Sequence, residues 1–181
     1  AIDYGFGFVT ENRKTEGLVL DFSIANNIAL PSDSRLAHHF WINGKEEFTF
    51  AQKLAIALGV KAQDIHLPVG TLSGGNQQKV IFARWLHRDC PVVLLDEPTR
   101  GVDVGARSDL YAEINTMTHQ GKAVMVVSSD LRELMELCDR IAVMHQGRLV
   151  ATFERGQWSQ KALLAAAFGD VTEETAAATA A

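Results

Sequence analysis

From residue 73 to residue 155 the sequence switches repeatedly between short apolar runs and amphipathic stretches, and no other feature constrains its fold as much. "PVVLLD" (91–96) reads as a buried strand, "GARSDLYAEINTMTHQG" (105–121) as a helix closed by glycine, and "KAVMVVSS" (122–129) as a second strand. "DLRELMELCD" (130–139) is again helical, and "RIAVMHQGRLVATF" (140–153) reads as two strands around a Gln-Gly turn. Strands that alternate with helices in this order predict an α/β class: a parallel sheet with helices on its faces.

Upstream the pattern differs. "YGFGFVTE" (4–11) has the aromatic and β-branched content of a strand, and "ENRKTEG" after it reads as a loop. From Asp21 to about Pro68 the pieces are helical: "SIANNIAL" has Ser23 as N-cap candidate, and "FTFAQKLAIALGV" runs at helical spacing to a glycine stop. The expected organisation is a strand and loop of the core at 1–20, a helical subdomain at 21–88, and the remaining core at 89–155. A C-terminal helix follows at 156–170 and a disordered tail at 171–181. The opening "AIDYGFGFVTE" starts as if in mid-strand, which suggests a chain cut from something longer.

With 181 residues there is enough chain for one domain, or a core and a smaller lobe. The 17 basic and 22 acidic side chains leave a net charge of −5, against the basic balance expected of a protein that coats nucleic acid. Cys90 and Cys138 are far apart and match no metal-ligand spacing, which favours a reduced cytosolic setting. Runs such as "ALLAAAF" fall short of the ~18 apolar residues of a membrane span, so any membrane role must come through a partner.

Two stretches carry chemistry. In "VVLLDEPTRGVDVGA" four apolar residues lead into Asp96 and Glu97 at a strand end, where open α/β sheets place their ligands. Asp96 there can hold Mg²⁺ and Glu97 can poise a water; a solvated pair at the end of a strand is the plain alternative. In "TLSGGNQQKV" the Gly74–Gly75 pair leaves backbone amides bare at a helix start, with the Ser73 hydroxyl beside them, a combination suited to a phosphate. A capped helix after a glycine turn explains "SGG" alone equally well, whereas both stretches together are far more specific.

Together they resemble the nucleotide-binding subunit of ABC transporters. "LSGGNQQ" resembles the family's signature motif, "VVLLDE" its Walker B strand, "RGVDVGA" its D-loop and "VMVVSSD" the strand leading to its switch histidine, over about residues 4–155. "TENRKTEGL" and "DRIAVMHQGRL" are similar to the second cassette of bacterial sugar importers of the ribose and galactose type. The resemblance implies ATP and Mg²⁺ as ligands, a parallel-sheet P-loop core with a helical subdomain, and a place on the cytoplasmic face of the bacterial inner membrane. It also implies a second cassette and membrane permease subunits as partners, and indirectly a periplasmic sugar-binding protein. Ser73, Gly74, Gly75, Gln77 and Asp103 would contact nucleotide, Asp96 and Glu11 metal, and Glu97 and Ser129 the reacting water.

Three departures shape the expected mechanism. The sequence has no G-x-x-x-x-G-K-[ST] phosphate loop: its Gly-Lys pairs, Gly44-Lys45 and Gly121-Lys122, precede Glu46 and Ala123. Glu11 stands where most such cassettes carry a glutamine, and Ser129 where they carry a histidine, too short a side chain to replace it. In the family two cassettes pack head to tail, so Ser73, Gly74 and Gly75 would grip ATP held by the partner, while the local site would be slow. The rival expectations are a soluble ABC protein of translation or DNA maintenance, and a non-catalytic interaction module. Lys79, Arg84 and Arg88 are expected on a solvated helix face, and the six histidines in structural roles. Phe40, Trp41, Phe48 and Phe50 are expected either in core packing or lining a groove for a permease helix.

Overall fold

The computed structural model describes residues 4–32, 37–38, 41–42 and 44–170; the expected tail, His39 and Phe40 lie outside them. The described residues group into two compact units that divide between Val127 and Ser128. In chain order the first unit has β1 (Phe6–Val9), α1 (Ile24–Ala29), β2 (Ala37–His38), β3 (Trp41–Ile42) and α2 (Gly44–Ala57). It continues with α3 (Gly74–Arg88), β4 (Val92–Asp96), α4 (Val104–His119) and β5 (Ala123–Val127).

β4 runs parallel between β1 and β5, with Phe8, Leu94 and Met125 side by side in register. Alternation along the strands sends Val9, Val93 and Leu95 to one face, where they are fully buried. α3 covers that face closely because β1 has no side chain at Gly7: a Cβ there would lie 3.1 Å from the Trp85 ring. The opposite face carries Phe6, Phe8, Met125 and Val127, exposed by 40, 47, 60 and 52%.

Around α3 the helical pieces form a second layer. Ser23 caps α1 by accepting the Asn26 amide at 3.1 Å, as its position predicts. α2 buries Ala51 and Ala55 at helical spacing, and Leu58 is buried just past its end, before the chain turns at Gly59 with φ +61°. It begins at Gly44, four residues ahead of the apolar run that announces it. The segment expected as a loop contains one wide π-helical turn, Arg13–Gly17, closed by the Leu18 amide on the Arg13 carbonyl at 2.8 Å. The turn sits on α3 at Gly17, where a Cβ would come within 2.8 Å of the Ile81 side chain.

The solvated face expected for α3 is corrected. Lys79 is buried and its ammonium bonds Asp109 at 2.6 Å and the Gly59 carbonyl at 3.2 Å. Arg84 is buried too, donating to the carbonyls of Gly17 and Asn27 and to the Asn27 side chain. Desolvation pushes its pKa down to about 10. Arg88 is half-buried at the helix end. Lys79 and Arg84 tie α3 to its neighbours because their partners are carbonyls and a carboxylate that other parts of the chain bring to it.

In the second unit, α5 (Leu131–Leu137) precedes the antiparallel hairpin β6 (Arg140–His145) and β7 (Arg148–Glu154), and α6 (Gln160–Phe168) closes it. The hairpin turns on Gln146 and Gly147, both at positive φ, the turn geometry that matches strand twist. Ile141, Val143, Ala151, Phe153, Leu163 and Ala166 form its core. No helix among the described residues is long and apolar enough to cross a membrane.

Candidate functional site

The apolar strand β4 delivers Asp96 and then Glu97 at the C-terminal end of the sheet. Glu97 leaves the strand at φ +47°, the left-handed region that a residue with a Cβ enters only at a cost. Its amide donates to the Val127 carbonyl of β5 at 2.8 Å and its carbonyl accepts from Arg100 at 3.1 Å, so the turn that follows is fixed at both ends. That turn reverses through Gly101 at φ +66° and ends at Asp103, which caps α4 by accepting the Ala106 amide at 3.0 Å. This hydrogen bond first of all holds the Asp103 carboxyl below its ordinary value. Asp103, expected to contact nucleotide, is thus the residue that starts α4.

The start of α3 meets this turn. Ser73 is exposed at the N-cap position, Gly74 half-buried and Gly75 buried. A Cβ on Gly75 would lie 2.8 Å from that of Ala106 and 3.2 Å from the Asp103 carboxylate, and one on Gly74 would lie 3.2 Å from the Gly101 carbonyl. Only glycines let the first turn of α3 come this near to the 97–103 turn. The Ser73 hydroxyl accepts from the Asn76 side chain at 2.9 Å and from no backbone amide of its own helix, and the residue is exposed. Gln77 faces inward instead, 3% exposed, with its amide toward the Val69 carbonyl at 3.4 Å; it supports the turn before α3 from within.

Glu11, just past β1, pairs with the Arg100 guanidinium. Among the described residues no three His, Cys, Asp or Glu side chains gather as a metal-binding group. Asp96 at the strand end suits Mg²⁺ well enough, since that ion commonly takes one or two carboxylates and fills its other positions with water and phosphate oxygens. The bare Gly74 and Gly75 backbone and the exposed Ser73 hydroxyl suit a phosphate, with α3's positive end behind them.

Ser129 lies in the second unit, where it lines an open groove of about 420 Å³ with Asp130, Arg132 and Gln160. The histidines whose rings are described sit in structural contacts. His66 stacks on Phe48, His87 meets Phe50 edge-on, and His119 and His145 bond the carbonyls of Asn115 and Ala167. Arg13, which the sequence offered only as a loop residue, reaches the same turn as Gly74: its guanidinium donates to the Arg100 carbonyl at 2.9 Å.

The chain is similar to known proteins. The chain is 47% identical to the ribose import ATP-binding protein RbsA of Lactococcus lactis subsp. cremoris, over 93% of its own length and 34% of the relative's. The corresponding protein of Streptococcus agalactiae is 46% identical over the same shares. The chain therefore spans about a third of the length of the curated relatives it matches. Among solved structures, the dimeric post-hydrolysis state of the ATP-binding cassette MJ0796 bound to ADP and Pi aligns at TM-score 0.70 and 23% identity, over 82% of this chain and 62% of that one. The cassette MJ1267 aligns at TM-score 0.73 and 18% identity, over 93% and 69%. These likenesses establish the ATP-binding-cassette fold, a parallel-sheet core with helices. Residues 7–100 match the family model described as ABC transporter, and the chain belongs to that family.

Proposed function

We propose that this chain is a nucleotide-binding cassette of an ABC importer ATPase and presents Ser73, Gly74 and Gly75 to ATP held by a partner cassette. The observation that carries this is the exposed Ser73 hydroxyl beside a glycine turn with no room for side chains, at the positive end of a 15-residue helix. The names of the relatives support sugar import. With that reading go a place for this chain at the cytoplasmic face of the membrane beneath permease subunits, a sugar-binding protein outside it, and a position as the second cassette of a longer ATPase.

In the partner's site, Ser73 and the Gly74 and Gly75 amides would donate to the γ-phosphate as negative charge builds on its oxygens during in-line attack by water. In the site on this chain, Asp96 would hold Mg²⁺, which supplies charge neutralisation to the phosphates when bound. Glu97 would orient the attacking water there, but Ser129 is too short to assist as a histidine would, and turnover at that site would be slow. Ser73→Ala should therefore lower ATPase activity of the two-cassette assembly by ~10²-fold, the scale of one lost oxyanion donor, and Glu97→Gln should lower it much less. Steady-state hydrolysis, measured for this chain alone and then with its partner cassette, checks both. The reverse order of effects, or turnover by the chain alone, would sink the proposal.

A further inference from the structure

We propose that Arg13 is a positioning residue that holds the signature turn at Gly74 in register with the 97–103 turn, and this rests on the trans role given to Ser73 above. Its planar guanidinium lies between the two segments. Nη1 donates to the Arg100 carbonyl at 2.9 Å and Nη2 to the Gly101 carbonyl at 3.5 Å. On the side of α3, a Cβ added to Gly74 would stand 2.6 Å from Nη2. Gly74, the guanidinium and the two carbonyls are thus stacked with no slack between them.

The mount behind Arg13 is tied to the same helix. The π-helical turn that begins with Arg13 ends at Gly17, which packs on Ile81 of α3 and whose carbonyl accepts from Arg84 of α3. Two residues ahead of Arg13, Glu11 holds the side chain of Arg100, so one short segment grips that residue by both its guanidinium and its carbonyl. The 97–103 turn is in this way referenced to the first turn of α3 by two routes, directly through Gly74 against the Gly101 carbonyl and indirectly through Arg13.

Such referencing matters because Ser73 must meet a phosphate at hydrogen-bond distance, and misplacement by about 1 Å can cost ~10²-fold in rate. It also explains the residue type. A lysine is a point charge on a flexible stem and cannot address two carbonyls in fixed directions as a guanidinium does.

The test uses the assembly with both cassettes present and compares wild type, Arg13→Ala, Arg13→Lys and Ser73→Ala by ATP turnover and by hydrogen exchange read from peptides. Arg13→Ala should lower kcat by roughly 10- to 100-fold with little change in KM. It should also speed exchange over 97–104 while leaving 80–88 and 92–96 as protected as before. Arg13→Lys should show the same faster exchange and not restore kcat. Unchanged exchange over 97–104 in Arg13→Ala, or wild-type turnover in either variant, overturns the proposal. If Arg13→Ala loses protection throughout, Arg13→Lys decides: folded and slow supports it, folded and fully active overturns it. Wild-type turnover in Ser73→Ala would refute the trans role instead, and exchange over 97–104 would still judge the contact made by Arg13.

Discussion

Glu113, on α4, shows how a single side chain can cost the fold something at neutral pH. Burial raises its carboxyl above the ordinary 4.5, because the charged form is the one that loses water. The native state therefore holds the proton more tightly than the unfolded chain does, and the contribution of Glu113 is fully present below pH 4.5 and lost as pH rises through the higher native value. Glu113→Gln should raise the Tm at pH 7 and leave it nearly unchanged at pH 4, as thermal melts at the two values would show. The sequence could not announce this residue, nor the buried cations. Arg84 finds its carbonyl partner 57 residues away and Lys79 its carboxylate 30 away, distances over which helical periodicity carries no information. The helix start at Ser73, Gly74 and Gly75 was legible because its signal is local: a hydroxyl and two bare peptides in a row, followed by a helix.

Among the elements, the approach of α3 to α4 depends on one absent methyl group. A Cβ at Gly75 would lie 2.8 Å from that of Ala106, and both belong to helix backbones that cannot step aside independently. Gly75→Ala should destabilise by about 1–3 kcal/mol, the scale of overpacking in a close contact, measurable as a lower urea midpoint at unchanged slope. Most elements could be read in advance for the same reason that they form. Short apolar runs gave β4 and β5, aromatic and β-branched content gave β1, and the Gln-Gly pair gave the β6–β7 turn. The wide turn at Arg13–Gly17 was not legible, since it rests on the contact of Gly17 with Ile81 and of its carbonyl with Arg84. The beginning of α2 was likewise hidden, because its first turn precedes the apolar residues that define the pattern.

At the level of the molecule, one face of the β1–β4–β5 sheet is packed and the other is apolar and open in the first unit. Phe6, Phe8, Met125 and Val127 share it, and a contiguous apolar surface of that kind binds hydrophobic dyes. The chain on its own should enhance the fluorescence of anilinonaphthalene sulfonate, and Phe8→Ser with Met125→Ser should remove most of the gain; no enhancement would mean that the face is covered. That a cassette core was written in the sequence follows from the apolar runs that end in the carboxylates Asp96 and Glu97 and from the glycine pair that opens α3. Glu97 carries a last consequence. Its left-handed backbone, φ +47°, costs the fold on the order of 1 kcal/mol, and glycine would adopt it freely. Selection for heat resistance alone would push this position toward glycine. Persistence of the carboxylate under such selection would thus measure how much its chemistry is worth to the cell.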